Sequence, residues 1–449
     1  MAEARKTAAV IGGGWAGCSA AVELAKAGYK VTLLESARTL GGRARLVEVH
    51  GKQLDNGQHI LLGAYAQTLR MLGLVGVDPA VALLNLPLQM RYPPGGNGMD
   101  FVAPRLPAPL HLALALWRAT GLERADKMAL ARFSSTARWM DWRLYHDCSV
   151  AELLARFDQT ERLIQLLWRP LCLAALNTPP ERASAQVFLH VLRDSLGARR
   201  AASDMLLPRR DLSALFPSAA AAYIVERGGA VRTGAKVGAV SAHQEGWKVD
   251  VSGNAVDGTW AVYVDAVVMA SGAPATAVLL AKLGQGELAS QLMSFAYEPI
   301  TTVYLQYRAA TGLTLPFYAL LDDPQRGHWG QFVFDRGQLE PSQDGMLAVV
   351  ISAAQQASLL ARHALGAAVA AQLADVFARP ELAAPQWCQV ITEKRATFAC
   401  TPGLQRPANE IGLAGLAIAG DYTASDYPAT LEAAIRSGVG AARSVSRPR

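Results

Sequence analysis

The spacing of apolar positions changes along this chain, and each change of period predicts a different kind of element. Residues 8–11 form a continuous apolar run suited to a strand buried on both faces, and 16–27 carry apolar side chains at helical spacing. Gly28 fits the stop of that helix, and 30–34 predict a second strand. Helical periodicity dominates from 106 to 200, most clearly over 153–167 and 183–196, and predicts a helical cap. Residues 219–273 predict strands alternating with turns, with strands at 237–240, 247–251 and 261–270. Further strands are predicted at 297–307, 331–335, 346–351 and 387–398, with a covering helix over 358–378. A buried strand at 416–419 and an Ala-rich helix opened by Pro428 and running past Gly440 come last, and 443–449 read as a frayed end.

The first strand–helix–strand unit carries chemistry. Gly12, Gly14 and Gly17 supply a G-x-G-x-x-G turn: the first allows the tight bend, the second close approach of a pyrophosphate, the third close packing of helix on strand. At Trp15 and Ala16 the helix start offers unpaired N–H groups and partial positive charge to phosphates. Glu35, ending the second strand, suits the adenosine ribose hydroxyls and disfavours a 2′-phosphate, so NADP is not expected. Arg38, Gly41, Gly42, Arg43 and Ala44 then permit approach to a second stretch of phosphate or ribityl chain and bring charge to neutralise it, which favours FAD over NAD. At the far end, Gly420-Asp421 follows a strand, and an Asp there can bond ribityl hydroxyls. The helix that follows, entered through Thr430 and Leu431, directs its positive end at a reduced isoalloxazine.

These elements predict an α/β protein: a Rossmann-like FAD-binding domain of glutathione-reductase type, with a discontinuous α+β substrate domain and a helical cap. The expected division is 1–90, 216–285 and 399–449 for the FAD-binding domain, 91–215 for the helical cap and 286–398 for the substrate sheet.

With 449 residues, half of them hydrophobic, the chain is long enough for two or three packed units. Five cysteines lack metal-like or C-x-x-C spacing and are expected as reduced thiols, with no metal site. The early first strand argues against a cleaved leader, and no charge-free apolar run reaches the length of a membrane span. The net charge of +6 lacks a compact basic run interleaved with aromatics, so nucleic acid is not expected as a partner. Attraction to anionic lipid and a uniformly solvated surface both remain open.

Five stretches, GGGWAG at 12–17, LGGRAR at 40–45, LDNGQHILLGAY at 54–65, LAALNTPPERASAQVFLHVLRDSL at 173–196 and AGDYTASDYPATLEAAIRSG at 419–438, resemble the FAD-dependent amine oxidase and phytoene desaturase superfamily. The DNGQH and LNTPPERAS stretches resemble its squalene-associated branch. That resemblance implies FAD, a long-chain isoprenoid substrate (hydroxysqualene), and reductive dehydroxylation to squalene in triterpene biosynthesis. The path it implies is an allylic cation that takes hydride from reduced flavin, and an electron donor not named by the residues is implied as well. It places the backbone of Val237 against the adenine, and the segment Asp55–His59 near the flavin ring, where His59 would hold a proton and Asp55 would orient it or brace the loop. A structural role for His59 stays open, and Tyr422 is a weaker candidate. Carotenoid-type desaturation is the alternative, on the same fold with electron flow reversed. A flavin-free prenyl carrier is disfavoured by the intact cofactor residues.

Trp117, Trp139, Trp142, Tyr145, Trp168, Phe332 and Phe334 are candidates for lining an apolar pocket, although core packing would also explain them. Residues 107–122 read either as a monotopic patch at the pocket mouth or as a buried cap helix. The expected location is the cytoplasm, peripheral on the inner face of the cell membrane.

Overall fold

A computed structural model describes residues 5–253 and 258–447. The first apolar run becomes the central strand, Thr7–Ile11, of a five-stranded parallel sheet in the order Ala230–Thr233, Lys30–Glu35, Thr7–Ile11, Ala266–Met269, Leu416–Ile418. Both faces of the sheet's centre are covered, so residues 8–11, Ala266–Met269 and Leu416–Ile418 are apolar and buried, while the edge strand Ala230–Thr233 exposes Arg232 and Thr233. Helix Trp15–Lys26 makes the first crossover and packs along the C-terminal helix Leu431–Ser446. The carboxyl ends of the strands, at Ile11, Glu35, Ala270 and Gly420, open onto one cavity, where open α/β sheets bind their ligands.

The second sheet is antiparallel, in the order Phe317–Ala319, Phe332–Asp335, Met346–Ile351, Tyr297–Gln306, Trp387–Phe398. Its side chains divide with period two. Val333, Leu347, Val349 and Ile351 pack beneath helix Arg362–Val376, while Phe332, Phe334, Ala348 and Val350 face the opposite way, into a separate apolar cluster. A three-stranded antiparallel unit, Lys236–His243, Gly246–Ser252 and Thr259–Val264, leans on the parallel sheet.

Several predicted boundaries move, each for a local reason. The helix expected over 153–167 is broken: Val150–Arg156 ends, Thr160 caps a new turn by accepting from the Leu163 amide, and a π-helical turn, Ile164–Trp168, leads into Arg169–Leu176. Residues 217–226 form a helix where strands and turns were expected, with Pro217 at its first position. The strand expected over 261–270 is two strands parted at Asp265, whose carboxylate accepts from the Thr7 amide and hydroxyl. The last helix starts at Leu431 because Thr430, rather than Pro428, caps it, accepting from the Ala433 amide. It continues through Ser446 because Ala441, Ala442 and Val445 are buried, so 443–446 are not frayed; 448–449 lie outside the described residues. The five cysteines are unpaired. Among the described residues no helix is long and apolar enough to cross a membrane.

Candidate functional site: a cofactor cradle joined to an apolar tunnel

A cavity of about 2050 Å³ runs from the ends of the parallel strands to the apolar face of the second sheet. Ordinary ligand pockets reach about 1,000 Å³. The space accommodates a cofactor and a substrate together.

The cofactor end is built by short-range geometry. Gly12, Gly14, Trp15 and Ala16 line it at the start of the first helix, whose opening amides have no intrahelical acceptor. Glu35 is buried beside them and holds the turn with both oxygens, Oε2 accepting from the Gly13 amide at 2.6 Å and Oε1 from the Ala37 amide at 2.7 Å. The second glycine pair docks on the first: the Gly41 amide donates to the Gly13 carbonyl at 2.9 Å, and Gly42, at φ +62°, lies against Gly14 where a side chain on Gly42 would crowd its Cα.

Arg43 reaches across the cavity to Asp421, with Nη2 2.5 Å from Oδ1, and donates to the Ala396 carbonyl. Burial opposes the guanidinium's charge, but Asp421 outweighs it and holds Arg43 protonated. Gly420, Asp421, Thr430 and Leu431 line the wall opposite the glycine turn, at the N-terminus of the last helix, and Val237 lines the cavity at a bulge in its strand. Gly17 lies behind the surface, packed on Gly12. Arg38 is exposed and does not line the cavity.

The segment Asp55–His59 divides. Asp55 points away from the cavity: its carboxylate accepts from the Leu212 amide at 2.8 Å, and its carbonyl accepts from the Tyr304 hydroxyl at 2.7 Å. It braces the loop and does not orient His59. Burial pushes its carboxyl up to about 7, against the Leu212 bond and the charge of Arg336. The folded protein therefore keeps on Asp55 a proton that the unfolded chain releases near pH 4, so this residue's contribution to stability is full in acid and is lost as pH rises toward 7. Between about pH 5 and about pH 8 we expect a loss of about 2 kcal/mol that Asp55→Asn does not show, read from paired thermal unfolding curves.

His59 lines the cavity, with Nδ1 3.0 Å from the Gly57 carbonyl, so Nδ1 carries the hydrogen and Nε2 the lone pair. Burial lowers its pKa, the Gly57 carbonyl resists, and the charge of Arg43 lowers it further. The lowered pKa favours the neutral imidazole, whose Nε2 can accept a hydrogen bond, over a stored proton.

The sequence reading missed Gln58. Its Oε1 accepts from Arg336, which is buried and has no carboxylate within ion-pair distance among the described residues, and its Nε2 donates to the Tyr304 hydroxyl. It also missed three tyrosines among the four that line the cavity. Tyr422, named as a weaker candidate, spends its hydroxyl on Thr276, Tyr427 spends its own on Asp194, and Tyr65 sits beside the Thr430 side chain. The Tyr297 hydroxyl has no hydrogen-bond partner among the described residues; burial raises its pKa, while Arg43 and Arg395 favour its anion. No short motif flags Tyr297, because it is brought there from the start of a strand in the second sheet.

The far end is apolar. Phe332 and Phe334 line it as expected, joined by Phe317, Met90 and Phe101. Trp117, Trp142 and Trp168 line it from the helical part, whereas Trp139 and Tyr145 face outward. The LNTPPERAS stretch turns out to be a joint. Asn177, in the left-handed region at φ 48°, ties the helical part to the second sheet through Glu298, Thr397 and Ala353, and Arg182 pairs with buried Glu298.

A glycine turn, an acidic residue ending the second strand and a parallel sheet opening onto an elongated cavity define a dinucleotide-dependent oxidoreductase. The sequence profile of the flavin containing amine oxidoreductases matches residues 15–446, and the chain belongs to that family. Its cofactor is FAD: the cradle described above fits the adenosine and pyrophosphate at Glu35 and Gly14, and the ribityl and ring at Asp421 and Leu431. The chain is 29% identical to the hydroxysqualene dehydroxylase of Rhodopseudomonas palustris and 28% identical to that of Sinorhizobium fredii, with 96% of each chain covered in both cases. It is 22% identical to the zeta-carotene desaturase of a Synechocystis species, over 97% of this chain and 96% of the relative. Among solved structures it is similar to an oxidoreductase from Methanosarcina mazei (TM-score 0.71, 17% identity, 96% and 98% of the two chains). It is similar also to the cyclohexylamine oxidase of Brevibacterium oxydans (TM-score 0.67, 16% identity, 98% of each).

Proposed function

We propose that this protein reductively removes the hydroxyl of hydroxysqualene to give squalene, drawing electrons from a donor that reduces its FAD. The observation that carries the reading is the joining of an FAD cradle to an aromatic, aliphatic tunnel in one cavity. The full-length similarity to hydroxysqualene dehydroxylases, stronger than that to desaturases, supports it. Segments 1–90, 216–285 and 399–449 would hold the cofactor, and 91–215 and 286–398 the substrate.

When bound and reduced, the flavin supplies a hydride equivalent. The chain's own residues do the rest. Phe317, Phe332, Phe334 and Met90 hold the hydrocarbon and exclude water from it. Aromatic faces at Trp142 and Trp168 are suited to stabilising positive charge on the allyl system once the C–O bond opens. The neutral His59 Nε2 accepts from the substrate hydroxyl and orients it. Tyr297 Oη gives its proton to the departing oxygen, which leaves as water, and Arg43 and Arg395 steady the phenolate until solvent reprotonates it.

Anaerobic reduction of the holoenzyme followed by hydroxysqualene in detergent tests both reaction and roles. Flavin reoxidation matched by squalene in the mass spectrometer is expected. Tyr297→Phe should slow it about a hundredfold or more, the range of a lost general acid, at normal flavin content. His59→Ala should slow it about tenfold. Flavin that stays reduced, while a polyene precursor bleaches the oxidised enzyme, would replace this reading with desaturation.

A further inference from the structure

Two helices roof the apolar end of the cavity, Leu110–Arg118 and Arg124–Trp139, and each does two jobs. Inward, Leu112, Leu116, Met128 and Ala131 line the tunnel. Outward, the same stretch collects apolar surface that no described residue covers. Of thirteen large apolar side chains exposed among the described residues, six lie between 106 and 145: Leu106, Leu110, Trp117, Met128, Trp139 and Tyr145, with Trp117 73% and Trp139 86% exposed. The Lys127 ammonium donates to the Trp117 carbonyl at 2.9 Å, which ties the end of one helix to the start of the other and fixes the two as one surface.

Charge on this surface is predominantly positive. Residues 105–145 hold seven Arg and Lys against three carboxylates, and one of the three, Asp126, is buried and spent on capping a helix. Most of the chain's net charge of +6 therefore sits beside its largest concentration of exposed apolar side chains, above the tunnel. Tryptophan, leucine and methionine flanked by arginine suit the boundary between headgroups and acyl chains, where the rings enter and the guanidinium groups stay with phosphates. A soluble partner protein would not need this surface to open into an apolar tunnel.

We propose that the two roof helices dock this protein on an anionic phospholipid bilayer, seating the tunnel mouth in the acyl region so that an isoprenoid passes from lipid to active site without crossing water. The passage rests on the isoprenoid reading of the substrate; the docking does not. Both readings left open for 107–122 contribute, since the segment is a cap helix with one face turned outward. Helices this short lie in the interface and do not span it.

Flotation of the holoenzyme with substrate-free vesicles tests the docking apart from the chemistry. We expect about tenfold or greater enrichment on phosphatidylcholine vesicles containing phosphatidylglycerol over phosphatidylcholine alone. Leu110→Ser/Trp139→Ser and Arg124→Glu/Arg132→Glu should each lose about tenfold of that partition. All four positions are exposed and none lines the tunnel, so flavin content and unfolding temperature should match wild type. Absence of flotation, equal partition of wild type and variants, or a solution dimer that both double variants dissolve would overturn the proposal. A negative flotation result leaves the detergent assay unaffected, and a negative detergent assay leaves flotation unaffected.

Discussion

Glu35→Ala is expected to yield colourless protein. Both oxygens of this buried carboxylate are committed, to the Gly13 and Ala37 amides, so the side chain shapes the glycine turn as well as presenting charge to a ribose. Hydrogen bonds to a charged group are worth about 1.5–3 kcal/mol each. Removing the carboxylate frees two amides and takes the acceptor for the ribose hydroxyls, so FAD affinity should fall about a hundredfold or more. Glu35→Gln keeps one acceptor oxygen and should fall between the two. Flavin-to-protein absorbance after dialysis, with titration of apoprotein by FAD, measures both. Wild-type affinity in the alanine variant would remove Glu35 from the cofactor site.

Gly17→Val should be at least as severe, for a steric reason. A Cβ at this position would lie 1.8 Å from the Gly12 carbonyl oxygen and 3.2 Å from the Ala270 Cβ. Neither neighbour can yield cheaply, since Gly12 bonds the Leu34 carbonyl and Ala270 the Ile11 carbonyl through their amides. The start of the first helix must therefore move off the sheet, and with it the Trp15 and Ala16 amides proposed to meet the pyrophosphate. Overpacking of this kind costs about 3 kcal/mol. We expect loss of flavin together with a lower unfolding temperature of the apoprotein. A variant that unfolds earlier yet keeps its flavin would separate packing from cofactor binding and show that the helix start had not moved.

The roles assigned inside the cavity depend on solvent exclusion more than on residue type. Burial and Arg43 disfavour the His59 cation, and Tyr297 is proposed as the donor because Tyr422 and Tyr427 already spend their hydroxyls on Thr276 and Asp194. Asp55 belongs to the same lesson: one turn of chain from His59, it faces Leu212 and titrates for reasons of folding. Arg336 and the Tyr304 hydroxyl hold the Gln58 amide from both ends, which fixes its side chain in the cavity wall.

The sequence by itself determined the parallel sheet's first unit, the glycine turn, Glu35, the second glycine pair and the strand-end Asp421. Each is a contact among residues close in the chain or a backbone preference, so residue type and spacing suffice. The strands at 346–351 and 387–398 were likewise legible from long β-rich runs. Tertiary structure decided that the last helix would run on through Ser446 with Val445 buried. It also decided the cavity's far wall, the presence of Tyr297 in that cavity and the joint made by Asn177. These depend on side chains up to hundreds of residues apart and on which of them lose water, and neither quantity is fixed by local pattern: burial sets the protonation of His59 and Asp55, and burial exists only once the two sheets and the helical roof have met.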